Sequence, residues 1–424
     1  MALASQGPFP GDKVPDRLEI LAAEVEDEVQ PVYRRIERIA LANHERVLAA
    51  LHAAGVREFH FQGSTGYGYG DAGREALEKA WALIFGAEEA LVRIQLVSGT
   101  HALAVCLFGL LSPGDELLAP QGEPYDTIHP VIGLKEASPR SLIGMGVRYR
   151  QLELTADGRI DYGALRDALS ARTRVVFLQR SRGYCLRPAL RVHEIEAVST
   201  LVRCYCPQAV VLVDNCYGEF VETTEPTAAG ADLVCGSLIK NPGGGLAPAG
   251  GYITGRRELV EAVAERLTAP GLGAAVGPTL GLTRLLFQGL YLAPHFVAEA
   301  LKGAVFAARF FERLGFEVMP RYDAPRGDIV QAVRLGSPER VLAFCRAIQQ
   351  SSPVDANVVP EPTSFPGYAD GIVMAAGTFI QGASLELTAD APMREPYAVF
   401  LQGGLSKEYV RLGVLTAARK LLEN

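Results

Sequence analysis

The stretch Val210-Val-Leu-Val-Asp214 decides the fold class of this chain. It is apolar for four residues and then ends on a carboxylate. A strand that is apolar on both faces is typical of a parallel sheet covered by helices on each side, and ligands bind beyond the carboxyl ends of such strands. The stretch therefore predicts an α/β protein with a ligand close to Asp214.

Short apolar runs and helical stretches alternate around this strand, which is typical of an open α/β sheet. Further strands are expected at 90–96, 116–119, 174–179, 233–236 and 251–254. Helices are expected between several of them, at 101–111, 162–171 and 191–204. After Pro278 a long helix is predicted, followed by a mixture of strands at 317–319, 329–334 and 371–375 and helices at 338–349 and 407–422.

The region ahead of the sheet is predicted to be helical, with Pro31 dividing it into two helices. A loop rich in Tyr and Gly follows. These patterns predict three parts: an N-terminal helical arm (1–60), a large α/β domain (61–285) and a small C-terminal α+β domain (286–424).

The composition excludes several classes of function. The 424 residues are 49% hydrophobic and 21% charged, and the formal net charge is −7. There is no Lys/Arg run for nucleic acid or an anionic membrane, and no apolar window long enough for a membrane span. Met1–Glu19 lacks the features of a signal peptide, and the seven scattered cysteines favour a reducing cytoplasm.

The segment Gly236-Ser-Leu-Ile-Lys240, followed by Asn-Pro-Gly-Gly-Gly245, places a lysine just after a buried strand. Partial burial disfavours the ammonium, and a neutral amine is able to attack an aldehyde. Ser237 faces the same side of the turn and is a candidate for binding a phosphate. Taken alone, the segment is explained better by a surface lysine. It is not a P-loop, because Lys240 precedes the glycines.

Three other segments also follow expected strands. Asp214 is able to pair with a pyridinium nitrogen, although an ordinary helix cap is the alternative. Ser98, Gly99 and Thr100 begin a helix, where free N–H groups bind anions, although a plain N-cap explains them equally well. Tyr125 is a candidate for stacking on a flat ligand, or it is simply a loop tyrosine.

The order of these four features is more specific than any one of them. A phosphate turn, a stacking tyrosine, an aspartate and a lysine occur in sequence, and 26 residues separate Asp214 from Lys240. The set predicts an enzyme that binds pyridoxal-5′-phosphate (PLP) as a Schiff base on Lys240.

The set resembles the fold-type I PLP enzymes, and more narrowly the cystathionine/methionine gamma-lyase group, in which similar Val-Asp-Asn and Ser-x-x-Lys runs occur. Stretches over most of the chain are similar to the aluminium-resistance or methionine-gamma-lyase-like family. They are Gly63-Ser-Thr-Gly-Tyr-Gly-Tyr-Gly-Asp71, Gln179-Arg-Ser-Arg-Gly-Tyr184, Lys240-Asn-Pro-Gly-Gly-Gly245, Arg394-Glu-Pro-Tyr397 and Leu401-Gln-Gly-Gly-Leu405.

This resemblance implies a mostly parallel seven-stranded sheet in the large domain and a role for each candidate. Lys240 would carry the cofactor, and Asp214 would bond its ring nitrogen. Tyr125 would stack on the ring and, with Lys240, act in catalysis. The phosphate would be held by Ser98, Gly99, Thr100 and Ser237.

The resemblance also implies a homo-oligomer. Tyr67 or Tyr69 would reach the phosphate of a neighbouring subunit, which requires a dimer or a dimer of dimers. A flexible surface loop is the alternative explanation of this Tyr/Gly-rich segment.

The sequence determines the roles of the arginines less well than those of the other candidates. Gamma-lyases usually carry a Ser-Pro/Asn-Pro type segment where this chain has Arg180 and Arg182, so either arginine is a candidate for contacting the cofactor O3′ or the substrate carboxylate. In the small domain Arg394 is the candidate clamp for that carboxylate, since a guanidinium fork suits it. A surface salt bridge is the alternative for Arg394.

The expected function is elimination at Cβ or Cγ of a sulfur-containing amino acid. Alternatives are another PLP reaction, such as transamination or aldol-type cleavage, and a non-catalytic PLP-binding stress protein. No cluster suited to a metal is visible in the sequence, and the absence of G-x-G-x-x-G after the first strand counts against a nucleotide-binding protein.

Overall fold

The computed structural model describes residues 16–135, 138–364, 368 and 370–423. The first fifteen residues of the predicted N-terminal arm, and most of the segment assessed for a signal peptide, lie outside the described residues. Within the described ranges, none of the helices has the length and apolar character needed to cross a membrane.

The helices are α1 (Arg17–Ala54), α2 (Ala72–Phe85), α3 (Gly99–Leu110), α4 (His129–Ile132), α5 (Tyr162–Ala168), α6 (Val192–Tyr205), α7 (Arg257–Leu267), α8 (Thr283–Arg313), α9 (Pro338–Gln350) and α10 (Lys407–Glu423). The strands are β1 (Glu89–Arg93), β2 (Glu116–Ala119), β3 (Arg148–Gln151), β4 (Thr173–Gln179), β5 (Val210–Asp214), β6 (Leu233–Ser237), β7 (Gly251–Gly255), β8 (Glu317–Met319), β9 (Gln331–Arg334), β10 (Ile372–Ala375), β11 (Thr388–Pro392) and β12 (Ala398–Gln402).

A seven-stranded sheet in the order β1-β7-β6-β5-β4-β2-β3 forms the centre of the molecule. Its strands are parallel except for β7, which runs antiparallel to both β1 and β6. Alternate side chains of β4 enter different apolar clusters: Val176 packs on the side of α6, whereas Val175 packs on the side of α3 and α7. The mostly parallel, doubly covered sheet predicted from the apolar runs is confirmed.

The register of the parallel strands brings the predicted polar residues to one edge. Gln179, at the end of β4, is paired with Asp214, and Asp214 is paired with Cys235 of β6. Ser237 then ends β6, and Lys240 follows in the turn. The carboxyl ends of the strands therefore hold these side chains next to one another, as expected for an open α/β sheet.

A second sheet, in the order β10-β11-β12-β9-β8, is antiparallel throughout and lies in the last third of the chain. Helix α8 leads from the large sheet into it, and α9 and α10 pack together beside it. This sheet contributes the far wall of the candidate site.

The predicted break at Pro31 is wrong, because α1 is one continuous helix. A proline inside a helix costs roughly 3 kcal/mol. Helix α1 packs against α8. Its buried apolar stripe consists of Val25, Val29, Val32 and Ile36. Burial contributes about 1.5–3 kcal/mol for each such side chain, which outweighs the missing hydrogen bond.

Candidate active site

A cavity of about 330 Å³ lies beyond the carboxyl ends of β4, β5 and β6, between the two sheets. Its volume is in the range of ligand-binding clefts. The sequence-predicted residues that line it together are Ser98, Gly99, Thr100, Tyr125, Asp214, Ser237 and Lys240. The four features that the sequence places far apart thus meet in one cavity.

Lys240 projects into this cavity from the turn after β6. Its Nζ donates hydrogen bonds to the Tyr217 hydroxyl and to the Gly382 carbonyl, both at 3.0 Å. Burial acts to lower the pKa of Lys240, but Tyr217, Cys216 and Asp390 outweigh it, and the pKa is raised. Burial thus acts on Lys240 in the predicted direction, but the neighbouring groups of the cavity reverse the net shift of its pKa.

Tyr217 is held in an unusual backbone conformation. Its φ of 70° lies in the left-handed region, which costs a non-glycine residue roughly 1–3 kcal/mol. The next residue, Gly218, has no room for a side chain, since a Cβ there would lie 2.3 Å from the Arg180 Cδ. The packed turn after β5 thus fixes the Tyr217 hydroxyl beside Lys240.

Asp214 ends β5 with its carboxylate at the cavity wall. One oxygen accepts the Cys216 backbone N–H at 3.1 Å, and the other accepts the Gln179 amide at 3.3 Å. Burial raises the pKa of Asp214, against the opposing effects of these hydrogen bonds and of Lys240. A carboxylate fixed in this way is able to pair with a cationic ring nitrogen.

The start of α3 forms an anion-binding surface on the same side of the cavity. Ser98 caps the helix and accepts the His101 N–H at 3.1 Å, while the first N–H groups of the helix have no partner within it. A Cβ at Gly99 would lie 3.1 Å from the Cys216 sulfur and 3.3 Å from the Ser237 Cβ. A larger residue at position 99 would push the helix start away from Ser237 by a few tenths of an ångström.

Tyr125 belongs to a cluster of three tyrosines. Its hydroxyl lies 2.7 Å from the Tyr368 hydroxyl, and its ring meets the edge of the Tyr184 ring at 5.4 Å between centroids. Its backbone N–H donates to the Gln179 side chain at 2.6 Å. Burial first, and then the neighbouring phenols of Tyr368 and Tyr217, raise the pKa of Tyr125, so the hydroxyl stays protonated.

Several cavity residues were not predicted from the sequence. Tyr184 and Gln402 lie within the stretches that are similar to the aluminium-resistance family, and Tyr217 follows Asp214 by three residues, whereas Tyr368 and Asp390 had no signal in the sequence. Asp390 comes from β11 and accepts a hydrogen bond from the Gln402 amide at 3.1 Å. Burial raises its pKa, against the attraction of Lys240. It is a second carboxyl group in the cavity, besides Asp214.

The structure does not bring the candidate arginines into the main cavity. Arg180 is fully buried and donates to the Asn215 side chain at 2.9 Å. Arg182 is buried in an ion pair with Asp328 at 3.3 Å. Both guanidiniums thus make contacts within the protein. Their predicted contacts with the cofactor O3′ or the substrate carboxylate stay predictions.

Arg394 lies in a neighbouring side cavity, in an ion pair with Asp370 at 2.7 Å. Its predicted part in binding the substrate carboxylate has no test in the structure and stays a prediction. Among the described residues, no three His, Cys, Asp or Glu side chains converge on a possible metal site.

Tyr67 and Tyr69 do not line the cavity of their own chain. They stack on each other at 5.5 Å and are 70% and 61% exposed. Their loop is anchored all the same, since the Gly277 N–H donates to the Tyr67 carbonyl at 2.9 Å and the Leu280 N–H donates to the Ser64 carbonyl at 3.0 Å. A fixed loop therefore presents two aromatic rings to solvent.

Glu219 lies buried behind the site, next to Gly236 of β6. Its Oε1 accepts the Tyr252 hydroxyl at 2.8 Å, and its Oε2 has no hydrogen-bond partner in the part of the chain that the structure describes. Burial raises the pKa of Glu219 to about 8, and the nearby Glu225 acts in the same direction. The side chain is therefore a neutral acid at pH 7.

A Glu219→Gln variant should change the pH dependence of stability. Between the ordinary pKa of 4.5 and about 8 the folded protein holds a proton that the unfolded chain has released, so wild-type stability falls as the pH rises through this window. Glutamine does not titrate. The free energy of unfolding of the variant, relative to that of the wild type, should therefore rise by up to ~4 kcal/mol between pH 5 and pH 9. Urea unfolding at three pH values measures the difference; one that stays constant with pH would contradict the shifted pKa.

The mostly parallel seven-stranded sheet and the smaller antiparallel sheet define the fold of the fold-type I PLP-dependent enzymes. The pyridoxal-5′-phosphate dependent protein YhfS from Escherichia coli shares this fold with a TM-score of 0.60 at 16% identity, covering 92% of this chain and 97% of that chain. A likeness at this identity shows the fold alone.

The family follows from closer matches. The family described as methionine gamma-lyase matches residues 18–422, and the chain belongs to it. The uncharacterized protein YnbB of Bacillus subtilis is 47% identical over 407 residues, which cover 96% of this chain and 97% of YnbB. A crystal structure from Clostridium novyi, described as a carbon-sulfur lyase involved in aluminum resistance, has a TM-score of 0.91 at 44% identity and covers 96% of each chain.

Proposed function

We propose that this protein is a PLP-dependent carbon–sulfur lyase that acts on a sulfur-containing amino acid. The observation that carries the proposal is the meeting of Lys240, Asp214, Tyr125 and the start of α3 in one cavity. Family membership and the description of the Clostridium novyi relative support the same reaction class.

The residues of the cavity suit PLP. The helix start at Ser98, Gly99 and Thr100, with the Ser237 hydroxyl, suits its phosphate. Asp214 suits its ring nitrogen, and Lys240 suits its aldehyde. When bound, PLP supplies an electron sink for the negative charge that develops at the substrate Cα.

Side chains of the protein accept and donate the protons that the elimination requires. Lys240 Nζ would accept the Cα proton in its neutral amine form, and Tyr217 keeps that nitrogen in position through the bond at 3.0 Å. Tyr125 keeps its proton because its pKa is raised, and it is able to deliver a proton to the departing sulfur. Asp390 and Gln402 complete a polar wall opposite Lys240.

We expect the PLP-loaded protein to release a 2-oxo acid and ammonia, together with a thiol from methionine or cystathionine or hydrogen sulfide from homocysteine, with at least one of these substrates. The measurement follows all three products in the same reaction. Equal yields of 2-oxo acid and ammonia indicate elimination. Turnover that needs an added 2-oxo acid acceptor would instead show an aminotransferase and refute the lyase assignment.

We also propose that the protein works as a homo-oligomer. The anchored, solvent-facing rings of Tyr67 and Tyr69 are suited to reach the phosphate site of a second copy. Both Tyr67 and Tyr69 are far more exposed than is usual for large aromatic side chains, which an interface would explain. A cytoplasmic location is part of the same proposal, since all seven cysteines are free thiols.

A further inference from the structure

A second cavity, of about 130 Å³, lies beside the main one. The two cavities share Tyr125, Gln179, Gly183 and Tyr184 as wall residues. The side cavity is therefore the space that adjoins the main cavity beyond these four residues, on the side where a substrate longer than a simple amino acid would extend.

Arg187 is the unusual residue of this side cavity. It is 9% exposed, and within the described residues it donates one hydrogen bond, from Nη1 to the Gln121 carbonyl at 3.1 Å. Arg182 and Arg394, which also line the cavity, are paired with Asp328 and Asp370. Across the described ranges Arg187 has no carboxylate of its own.

A buried guanidinium without an ion pair is unfavourable, because it has lost its hydration, and Arg187 is attracted only at longer range by Asp328, which already pairs with Arg182. Burial lowers the pKa of Arg187, yet an arginine stays a cation at neutral pH. The folded protein thus holds a positive charge in a polar cavity next to the catalytic tyrosine.

His129 gives a second, independent indication of a ligand. Its ring is 4% exposed, and Nε2 lies 2.6 Å from the Pro124 carbonyl, which accepts only, so Nε2 carries the hydrogen. The other ring nitrogen, Nδ1, is buried and has no hydrogen-bond partner among the described residues. The carboxylates of Glu123 and Asp126 also line this cavity, at 3.5 Å from Nε2 and 4.0 Å from Nδ1, so the ring lies beside two carboxylates and, within the described part of the chain, still makes no hydrogen bond at Nδ1.

We infer that the side cavity is a carboxylate-binding subsite, with Arg187 as the residue that binds the carboxylate. This inference rests on the proposed function, and it assigns to the substrate an acidic group on the far side of the sulfur. A guanidinium fork binds a carboxylate through two parallel hydrogen bonds, and an N–H or O–H next to that carboxylate would satisfy His129 Nδ1. Substrates of this kind should bind better than those ending in a methyl group.

The test uses two uncleavable ligands in which a CH₂ replaces the sulfur, one ending in a carboxylate and the other in a methyl group. Calorimetric titration of the PLP-loaded protein should give at least ~10-fold tighter binding of the acidic ligand. Arg187→Met should weaken binding of the acidic ligand by about 30-fold or more and should change the affinity for the methyl ligand by less than about 2-fold. Arg187→Lys should recover part of the loss.

Thermal unfolding separates binding from a structural role. Arg187→Met removes an unpaired buried charge and should leave the melting temperature of the ligand-free protein unchanged or raise it. The matched control, Arg182→Met, leaves Asp328 unpaired and should lower the melting temperature clearly.

Three results would overturn the inference. The first is an equal loss of affinity for both ligands in Arg187→Met. The second is a larger loss of affinity for the acidic ligand in Arg394→Met than in Arg187→Met. The third is a fall in melting temperature for Arg187→Met as large as that for Arg182→Met. Because the ligands are not cleaved, a protein that fails to release any thiol would refute the lyase proposal without deciding this test.

Discussion

A Lys240→Ala variant should lose the elimination reaction by at least ~10³-fold and should not show the visible absorbance of lysine-bound PLP. The side chain is predicted to do two things that no neighbour can replace, since it holds the cofactor covalently and accepts the Cα proton. Its Nζ lies 3.0 Å from both the Tyr217 hydroxyl and the Gly382 carbonyl, and among the residues that line the cavity there is no other lysine.

The experiment compares absorbance and 2-oxo acid release in wild type, Lys240→Ala and Lys407→Ala. Lys407 begins α10 and pairs with Glu408, outside the cavity, so its variant should keep both signals. Full absorbance and activity in Lys240→Ala would contradict the assignment of the cofactor lysine.

An Asp214→Asn variant should lower the elimination rate by roughly 10²–10³-fold while PLP still binds. Asparagine has nearly the same size and keeps an oxygen for the Cys216 N–H, which Asp214 accepts at 3.1 Å. It carries no negative charge, so it stabilises a protonated ring nitrogen poorly, and the ring loses much of its capacity to take up electrons.

Asp390→Asn is the matched control, because Asp390 is also a carboxylate of the cavity but lies on β11, in the other sheet. The comparison measures rate constants at saturating PLP, so weaker cofactor binding does not enter. A loss in Asp390→Asn that equals or exceeds the loss in Asp214→Asn would contradict the role given to Asp214.

The fold and one wall of the site were predictable because their signals are local. The apolar run of β5 specifies a strand buried on both faces, and parallel strands place their carboxyl ends at one edge. Asp214, Ser237 and Lys240 therefore had to lie close together once the sheet formed. The helix start at Ser98 was predictable for the same reason.

The opposite wall was not predictable, because it depends on how the second sheet packs. Asp390 and Gln402 lie on β11 and β12, short strands that the sequence did not predict, and Tyr368 has no local pattern at all. Asp390 is one of the groups that raise the pKa of Lys240. Because the sequence did not predict the wall that carries Asp390, it did not predict this upward shift.

The arginines show a related difficulty. A sequence shows which guanidiniums exist but not which of them find a carboxylate in the fold. Arg182 meets Asp328 across 146 residues of chain, whereas Arg187, five residues later, meets none in the described ranges. Arg187 is a candidate for binding a substrate because Asp328 pairs with Arg182 and not with Arg187, which only the folded structure shows.

The most direct measurement of the central claim is reduction of the PLP-loaded protein with borohydride, followed by peptide mapping with mass spectrometry. Borohydride fixes PLP on the lysine that holds it. We expect a single pyridoxyl-bearing peptide, the one that contains Lys240. A pyridoxyl group on a different lysine, or none on a protein incubated with excess PLP, would contradict it.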